Sequence, residues 1–294
     1  MRIKRKKPVL IAEIGCNHMG SLETAFDMVK IAKHCNVDIV KFQKRDNKLL
    51  LSEKEYNKPY LNKNSYGETY GEHREFLEFN LEQHEQLKRR CEDENIIYSS
   101  SVWDLNSANE IMSLKPELIK IPSAQNNNYE LVSHLLDCYN GKIHISLGMT
   151  SYKEVEEVFK MIGKYEREND VVLYACTSGY PVDFKDICLF EIDGLSNMYY
   201  NELGIKGNIG FSGHHLGIAP DIAAYTLGAN YIERHFTLDR TLKGTDHAAS
   251  LEPEGLKKLK RDLISTYESL TYKQHEILEI EKTQRQKLKF KKEL

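Results

Sequence analysis

Two short apolar runs late in the chain each finish in a histidine, Asn208-Ile209-Gly210-Phe211-Ser212-Gly213-His214 and Tyr231-Ile232-Glu233-Arg234-His235. The intervening segment, 216–230, reads as one helix. A strand, a helix and a second strand make a βαβ unit, which brings His214 and His235 to the same edge of a parallel sheet. One histidine at a strand end is commonly a core or capping residue. Two presented together, with Asp246 and His247 soon after, have the character of a metal site. Lysines add a second kind of chemistry. Lys41 and Gln43 share a strand face by the period of two, and Lys120 is flanked by Ile119 and Ile121. An inward ammonium among isoleucines is costly unless it meets an anion. Glu13, a carboxylate inside an apolar run, can neutralise one lysine. Two lysines, with hydroxyls from Ser101, Ser123, Ser146 and Ser212, exceed what one glutamate offsets, and the surplus suits a phosphate and a carboxylate beside a metal.

The elements that must position these groups alternate along the chain. Apolar, β-branched runs fall at 9–14, 39–42, 96–100, 118–121, 143–147, 171–175, 208–211 and 231–236. Each is too short for a helix and continuous enough to be buried on both faces. Helical spacing separates them: Leu22, Ala25, Phe26, Val29 and Ala32 behind Ser21, Val155, Val158, Phe159 and Ile162 behind Ser151, and Leu256, Leu259, Leu263 and Tyr267 near the end. Pro220 suits a helix start. Eight such units predict an α/β chain folded as a (β/α)8 TIM barrel over residues 1–272, followed by a charged helix or tail at 273–294. A doubly wound open sheet is the other arrangement considered, but no glycine-rich nucleotide turn follows the first strand. In a barrel the chemistry belongs at the C-terminal strand ends, where Glu13, Gln43, Ser101, Ser123, Ser146, Ser212 and both histidines lie.

Bulk properties exclude several classes. Lys plus Arg number 41 against 44 acids, a net charge of −3 that gives no sign of nucleic-acid binding. The basic start at 2–7 lacks the apolar stretch of a signal peptide, and no run approaches the roughly 20 apolar residues of a membrane span. Six cysteines without a CxxC pair suit reduced thiols in a cytoplasmic protein.

The stretches IAEIGCNHMGS, VKFQK, IKIPSA, ISLGM, CTSGYP, GFSGHHLGI, TLGANYIERHFTLDR and GTDHAASLEP run in order from about Ile11 to Pro253. In them the chain resembles the sialic acid synthase (N-acetylneuraminate synthase) family, which includes legionaminate and pseudaminate synthases. The resemblance implies condensation of phosphoenolpyruvate with an open-chain N-acylated amino sugar, releasing phosphate and forming a 3-deoxy-2-keto sugar acid, by a homodimer. It implies that His214 and His235 hold a divalent cation, Mn2+ or Mg2+. Lys41, Ser101, Lys120, Ser123, Ser146 and Ser212 would surround phosphoenolpyruvate, with Thr177, Ser178 and Tyr180 of the strand-six motif nearby. Glu13, Gln43 and Asp246 would organise the reacting water, the sugar hydroxyls and the metal surroundings, with Glu13 directing the water.

The chain departs from that pattern in three places. Gly179 stands where the family usually has asparagine, and Gly213 where it usually has an aspartate expected beside the metal. The 294 residues leave no room for the small antifreeze-like domain that reaches a partner's site with an arginine. A long insertion after strand two, 48–79, offers His73 and Arg74 as sugar contacts ahead of a helix at 75–87. Two alternatives stay open: a related condensation with a phosphorylated aldose, in which Cys16 would join the metal, and a non-catalytic sugar-binding barrel that needs a partner.

Overall fold

The computed structural model describes residues 5–290, so the first part of the basic start and the last four residues of the charged tail lie outside it. Eight parallel strands close into one barrel in sequence order, and the last pairs with the first. The strands are β1 (Val9–Glu13), β2 (Ile39–Lys44), β3 (Ile97–Val102), β4 (Leu118–Ile121), β5 (Lys142–Ser146), β6 (Val171–Cys176), β7 (Asn208–Gly213) and β8 (Tyr231–His235). All eight runs expected from sequence are strands, with no end displaced by more than two residues.

Local chemistry sets the helices around them. The first, α1 (Leu22–His34), starts where Ser21 accepts a hydrogen bond from the Thr24 backbone and buries Ala25, Met28, Val29 and Ala32. Four helices follow β2 before β3 begins: α2 (Asn47–Leu50), α3 (Glu53–Tyr56), α4 (Tyr70–Leu77) and α5 (Leu81–Asp93). The expected helix at 75–87 is therefore two helices. Asn80 breaks the pattern because its side chain caps α5 through the Gln83 backbone, in a reciprocal capping box. Farther along come α6 (Leu105–Ser113), α7 (Tyr129–Cys138), α8 (Tyr152–Lys164) and α9 (Glu191–Leu203). Ser151 and Glu154 form the capping box of α8, which buries the anticipated Val155, Val158, Phe159 and Ile162.

The segment expected to be helical at 216–230 condenses to α10 (Ala219–Leu227), which has Pro220 in its first turn and ends at Gly228. Then α11 (Pro253–Ser269) buries Leu256, Leu259 and Leu263. In the charged tail the helix is α12 (Glu279–Leu288), shorter than expected and without a buried residue. Among the described residues, no helix is long and apolar enough to cross a membrane.

The barrel interior changes character along its axis. Ile11, Ile39, Leu118, Val172 and Tyr174 form an apolar plug separate from the main core between strands and helices. Two residues farther along the same strand faces come Glu13, Lys41 and Lys120. A wall of apolar packing thus closes one end, and charge accumulates toward the other.

Three buried histidines give this core a pH dependence. Burial drives His18, His84 and His144 down to about 3 from their ordinary value. In the unfolded chain they take up protons near pH 6.5, whereas the folded chain does not. Stability is therefore complete above about 6.5 and falls as the pH drops toward 3, by up to about 1.4 kcal/mol per pH unit for each histidine. The urea midpoint should fall clearly between pH 7 and pH 5, and an unchanged midpoint would contradict neutral burial.

Candidate active site

At the C-terminal end of the barrel lies a cavity of about 680 Å3 whose floor is built from charged pairs. Lys41 on β2 forms an ion pair with Glu13 on β1 and donates to Ser101 Oγ on β3 at 2.7 Å. Lys120 on β4 donates to Glu233 Oε1 on β8 at 2.5 Å, and Ser212 Oγ on β7 donates to the same oxygen at 3.1 Å. Lys41 Nζ also approaches Glu233 Oε1 at 3.9 Å. All four charged side chains are almost fully buried.

The expectation that two lysines face one glutamate is thereby corrected. Glu233 is the second carboxylate, and the lysine–glutamate floor is balanced. Its signal was present, since Tyr231, Glu233 and His235 alternate on one face of β8. Burial opposes the Glu233 carboxylate, but Lys120 and Lys41 overcome this and hold its pKa below the ordinary range. Burial pushes the Lys120 ammonium down against the pull of Glu233, and Lys41 adds to the lowering.

Beside the floor, Gln43 Nε2 donates to Glu13 Oε1 at 2.6 Å. The turn after β1 lets these groups converge. Gly15 has φ +57°, and a Cβ there would come within 3.1 Å of Gln43 Nε2, 3.2 Å of Glu13 Oε1 and 3.7 Å of Asp246 Oδ2. Burial works against the Asp246 carboxylate, yet His235, Thr245, Arg74 and Arg45 keep its pKa below the usual value. Ser123, Ser146, Ser178 and Arg74 also line the cavity. Thr177 contributes differently from the expectation, because its hydroxyl donates to the Asp186 carbonyl at 2.8 Å and only its backbone meets the site.

The two strand-end histidines face one another, with ring centroids 5.3 Å apart and Tyr180 against both. His214 Nδ1 lies 2.8 Å from the Thr177 carbonyl, which can only accept, so Nδ1 carries the proton and Nε2 keeps its lone pair. Burial, with His235 adding to it, holds His214 down to about 3 and hence neutral. His235 Nδ1 is buried without a hydrogen-bond partner, 3.7 Å from Asp246 Oδ2. A neutral imidazole and an orphaned ring nitrogen are two donors of the kind a divalent cation takes, with the Asp246 carboxylate close enough to offset its charge. Among the described residues, no group of three or more His, Cys, Asp and Glu side chains has metal-holding geometry, so the pair of histidines remains the candidate.

Gly213 does not belong to this face. A Cβ there would meet the His215 ring at 2.7 Å and Phe211 at 2.9 Å, on the outer side of β7. The expectation that its missing carboxylate would alter the metal surroundings is corrected by this outward direction. Behind the strands, Arg234 donates to Asp221 Oδ2 at 2.5 Å, the His215 carbonyl at 2.6 Å and the Gly217 carbonyl at 2.8 Å. His215 Nε2 lies 3.2 Å from the same Asp221 oxygen. This fully buried clamp ties the ends of β7 and β8 one residue away from His214 and His235.

The insertion covers the mouth as a packed aromatic cap. Tyr66 stacks on Phe76 with centroids 4.8 Å apart, and His73 packs against Tyr60 at 4.7 Å. His73 Nδ1 accepts from the Tyr66 backbone at 3.2 Å. Arg45 and Lys243 line the cavity too and were not anticipated. A wider, apolar depression of about 1190 Å3 lies between Phe184–Phe190 and the helices α10 and α11, but it lacks convergent polar groups.

Fold and site together define a (β/α)8 barrel whose open end carries a buried lysine–glutamate floor, a ring of hydroxyls and two opposed histidines. The NeuB family model matches residues 28–275, and the chain belongs to that family. It is 39% identical over 250 residues to the N-acetylneuraminate-9-phosphate synthase of Drosophila melanogaster, covering 85% of this chain and 65% of that protein. Against the N,N'-diacetyllegionaminic acid synthase of Campylobacter jejuni it is 35% identical, covering 86% and 75%. The crystal structure of N-acetylneuraminic acid (sialic acid) synthetase from Leptospira borgpetersenii in complex with citrate superposes with a TM-score of 0.78 at 27% identity, covering 97% of this chain and 93% of that one. The chain spans about two thirds of the length of the first curated relatives it matches.

Replacing Glu233 by glutamine leaves Lys120 without its charged partner. The variant should lose about 3 kcal/mol of stability, read as a lower urea midpoint, whereas Glu75→Gln on the exposed surface should change it little.

Proposed function

We propose that this chain condenses phosphoenolpyruvate with the open-chain aldehyde of an N-acylated amino sugar, giving a 3-deoxy-2-keto sugar acid and inorganic phosphate. One observation carries the reading. Ser146 Oγ, Glu233 Oε2 and His235 Nδ1 are buried polar atoms without hydrogen-bond partners, and their residues all line the cavity that holds the two lysines. Buried polar groups are rarely left unpaired: the Ser146 hydroxyl suits an anionic oxygen, whereas the unpaired Glu233 oxygen and His235 nitrogen suit a hydroxyl donor and a cation, the mixture that an enol phosphate, a sugar and a metal would supply. The names of the relatives point to the same chemistry.

In this reading C3 of the enol phosphate attacks the aldehyde carbon, and positive charge develops at C2. Glu13, held by Lys41 and Gln43, stabilises that charge and takes the proton of the water that adds there. The hemiketal phosphate then loses phosphate by C–O cleavage. Lys41 and Lys120, with Ser101, Ser123, Ser146 and Ser212, hold the carboxylate and phosphate and keep the reactants in place. Asp246 and Tyr180 flank the histidines and meet the sugar. His214 and His235 would hold the divalent cation, which when bound acts as a Lewis acid toward the aldehyde oxygen. The proposal includes a cytoplasmic homodimer, supported by six free thiols and by the apolar depression beside Phe190.

Phosphate release from phosphoenolpyruvate, measured over a panel of free and phosphorylated N-acylamino sugars with and without Mn2+, tests the reaction. Release should need both an acceptor and the metal, and Glu13→Gln should lower kcat by about 10^2 to 10^4-fold. Calorimetric titration with Mn2+ should show binding that His214→Ala and His235→Ala each abolish. The absence of release with every acceptor would reject the synthase activity.

A further inference from the structure

The two floor lysines are anchored unequally. Lys41 has partners on both neighbouring strands, Glu13 and Ser101. Among the described residues Lys120 makes one hydrogen bond, to Glu233 Oε1. An ammonium has three donors, so a single bond leaves its direction loosely set. Beneath it lies an aromatic face, with Lys120 Nζ 4.4 Å from the centroid of the Tyr174 ring. Tyr174 is fully buried in the plug, on β6 two residues before the cavity-lining Cys176. Its hydroxyl lies 2.7 Å from Nδ1 of His144 on β5, one inward position below Ser146. His144 is also fully buried, and its ring packs steeply against Tyr231 with centroids 4.9 Å apart. On β7 the position level with Tyr174 is Gly210, where a Cβ would collide with the tyrosine ring.

We infer that Tyr174 is a positioning residue for the reaction: its ring, held by His144 and given room by Gly210, fixes the Lys120 ammonium for phosphoenolpyruvate. A cation over an aromatic face is attracted by the ring quadrupole, and more strongly where water is excluded. The ring attracts without carrying a negative charge, so Lys120 stays cationic and keeps two N–H donors for the ligand. A second carboxylate in its place would satisfy the lysine fully and compete with an anionic substrate. The bond to His144 fixes the far end of the tyrosine, and the bare wall at Gly210 lets the ring lie flat against β7. Burial, and then Lys120, hold His144 down to about 3, so the imidazole is neutral and sets no rival cation near the ammonium. Burial also pushes the Tyr174 phenol far up and keeps it protonated. Filling the plug requires none of this. Apolar residues would occupy the layer without the cost of burying a hydroxyl and an imidazole, whose Nε2 is left without a partner.

This inference rests on the synthase reading for the ligand of Lys120. The test sets Tyr174→Leu, which removes the ring, against Tyr174→Phe, which keeps the ring and loses the hydroxyl. Tyr174→Leu should raise the phosphoenolpyruvate KM about tenfold while kcat and the acceptor KM stay within about threefold. Tyr174→Phe should recover most of that loss. A purely structural role would lower stability and the active fraction, hence the apparent kcat, and leave the phosphoenolpyruvate KM alone. In NMR spectra of protein labelled at the lysine Cε, the Lys120 ε-protons should be shifted upfield by the ring in the wild type and in Tyr174→Phe, but not in Tyr174→Leu. Circular dichroism and thermal melts establish folding, and the spectra of the wild type and Tyr174→Phe decide the matter even where Tyr174→Leu does not fold. An unchanged phosphoenolpyruvate KM in folded Tyr174→Leu, or a wild type without the upfield shift, would overturn the positioning role and leave the synthase reading intact. Calorimetric titration with phosphoenolpyruvate separates the two claims. Binding that weakens in Tyr174→Leu and recovers in Tyr174→Phe supports the role even if no acceptor releases phosphate, and in that case the synthase reading fails. Equal binding by the wild type and Tyr174→Leu overturns the role.

Discussion

Burying an ammonium group inside a parallel barrel costs several kcal/mol unless a carboxylate and further hydrogen bonds accompany it, and this barrel buries two. The compensation draws on much of its circumference. Lys41 reaches Glu13 and Ser101 on its two neighbouring strands, whereas Lys120 meets a carboxylate from β8, 113 residues away in sequence. Ser212 then binds the same glutamate oxygen from β7. These contacts need the strands to close in order and in register, since a slip of one residue would turn every charged side chain toward the helices. The closed barrel is what makes the charged floor possible, and the apolar plug beneath it closes the opposite end of the interior.

Much of this architecture is legible in the residues themselves. Eight short apolar runs separated by helical stripes define the barrel, and Ser21 and Ser151 mark helix starts by their type and position alone. The strand-end residues Glu13, Lys41, Gln43, Ser101, Lys120, Ser146, Ser212, His214 and His235 meet in one cavity because the period of two and the polarity of a parallel strand leave them few other directions.

What escaped the sequence depends on contacts between distant segments. Glu233 sits among Ile232 and Arg234, and a charged pair inside a short strand gives no hint of which member faces inward until the alternation is anchored on His235. Arg45 and Lys243 lie in loops, where no periodicity fixes a side chain's direction. The insertion reads as a polar, glycine-bearing loop, yet its tyrosines and Phe76 stack into a cap through contacts that span many residues. Gly213 was misleading for the opposite reason. Its direction follows from the alternation with Ser212 and His214, and it points toward the packed layer outside the barrel.

The clamp of Arg234, Asp221 and His215 lies one residue out of step with the histidines inside. On β7 and β8, scaffold and chemistry are interleaved in adjacent positions, His214 beside His215 and Arg234 beside His235. Substitutions on either face can be absorbed separately, because each face answers to its own neighbours. A single-residue insertion or deletion in either strand cannot be absorbed in this way. On β8 it would exchange the guanidinium with an imidazole, and on β7 it would put His215 or Gly213 in the place of His214, so that the anchor and the reactive group are disturbed together. These two strands are therefore held strictly in length, because their alternation assigns each face its own set of partners.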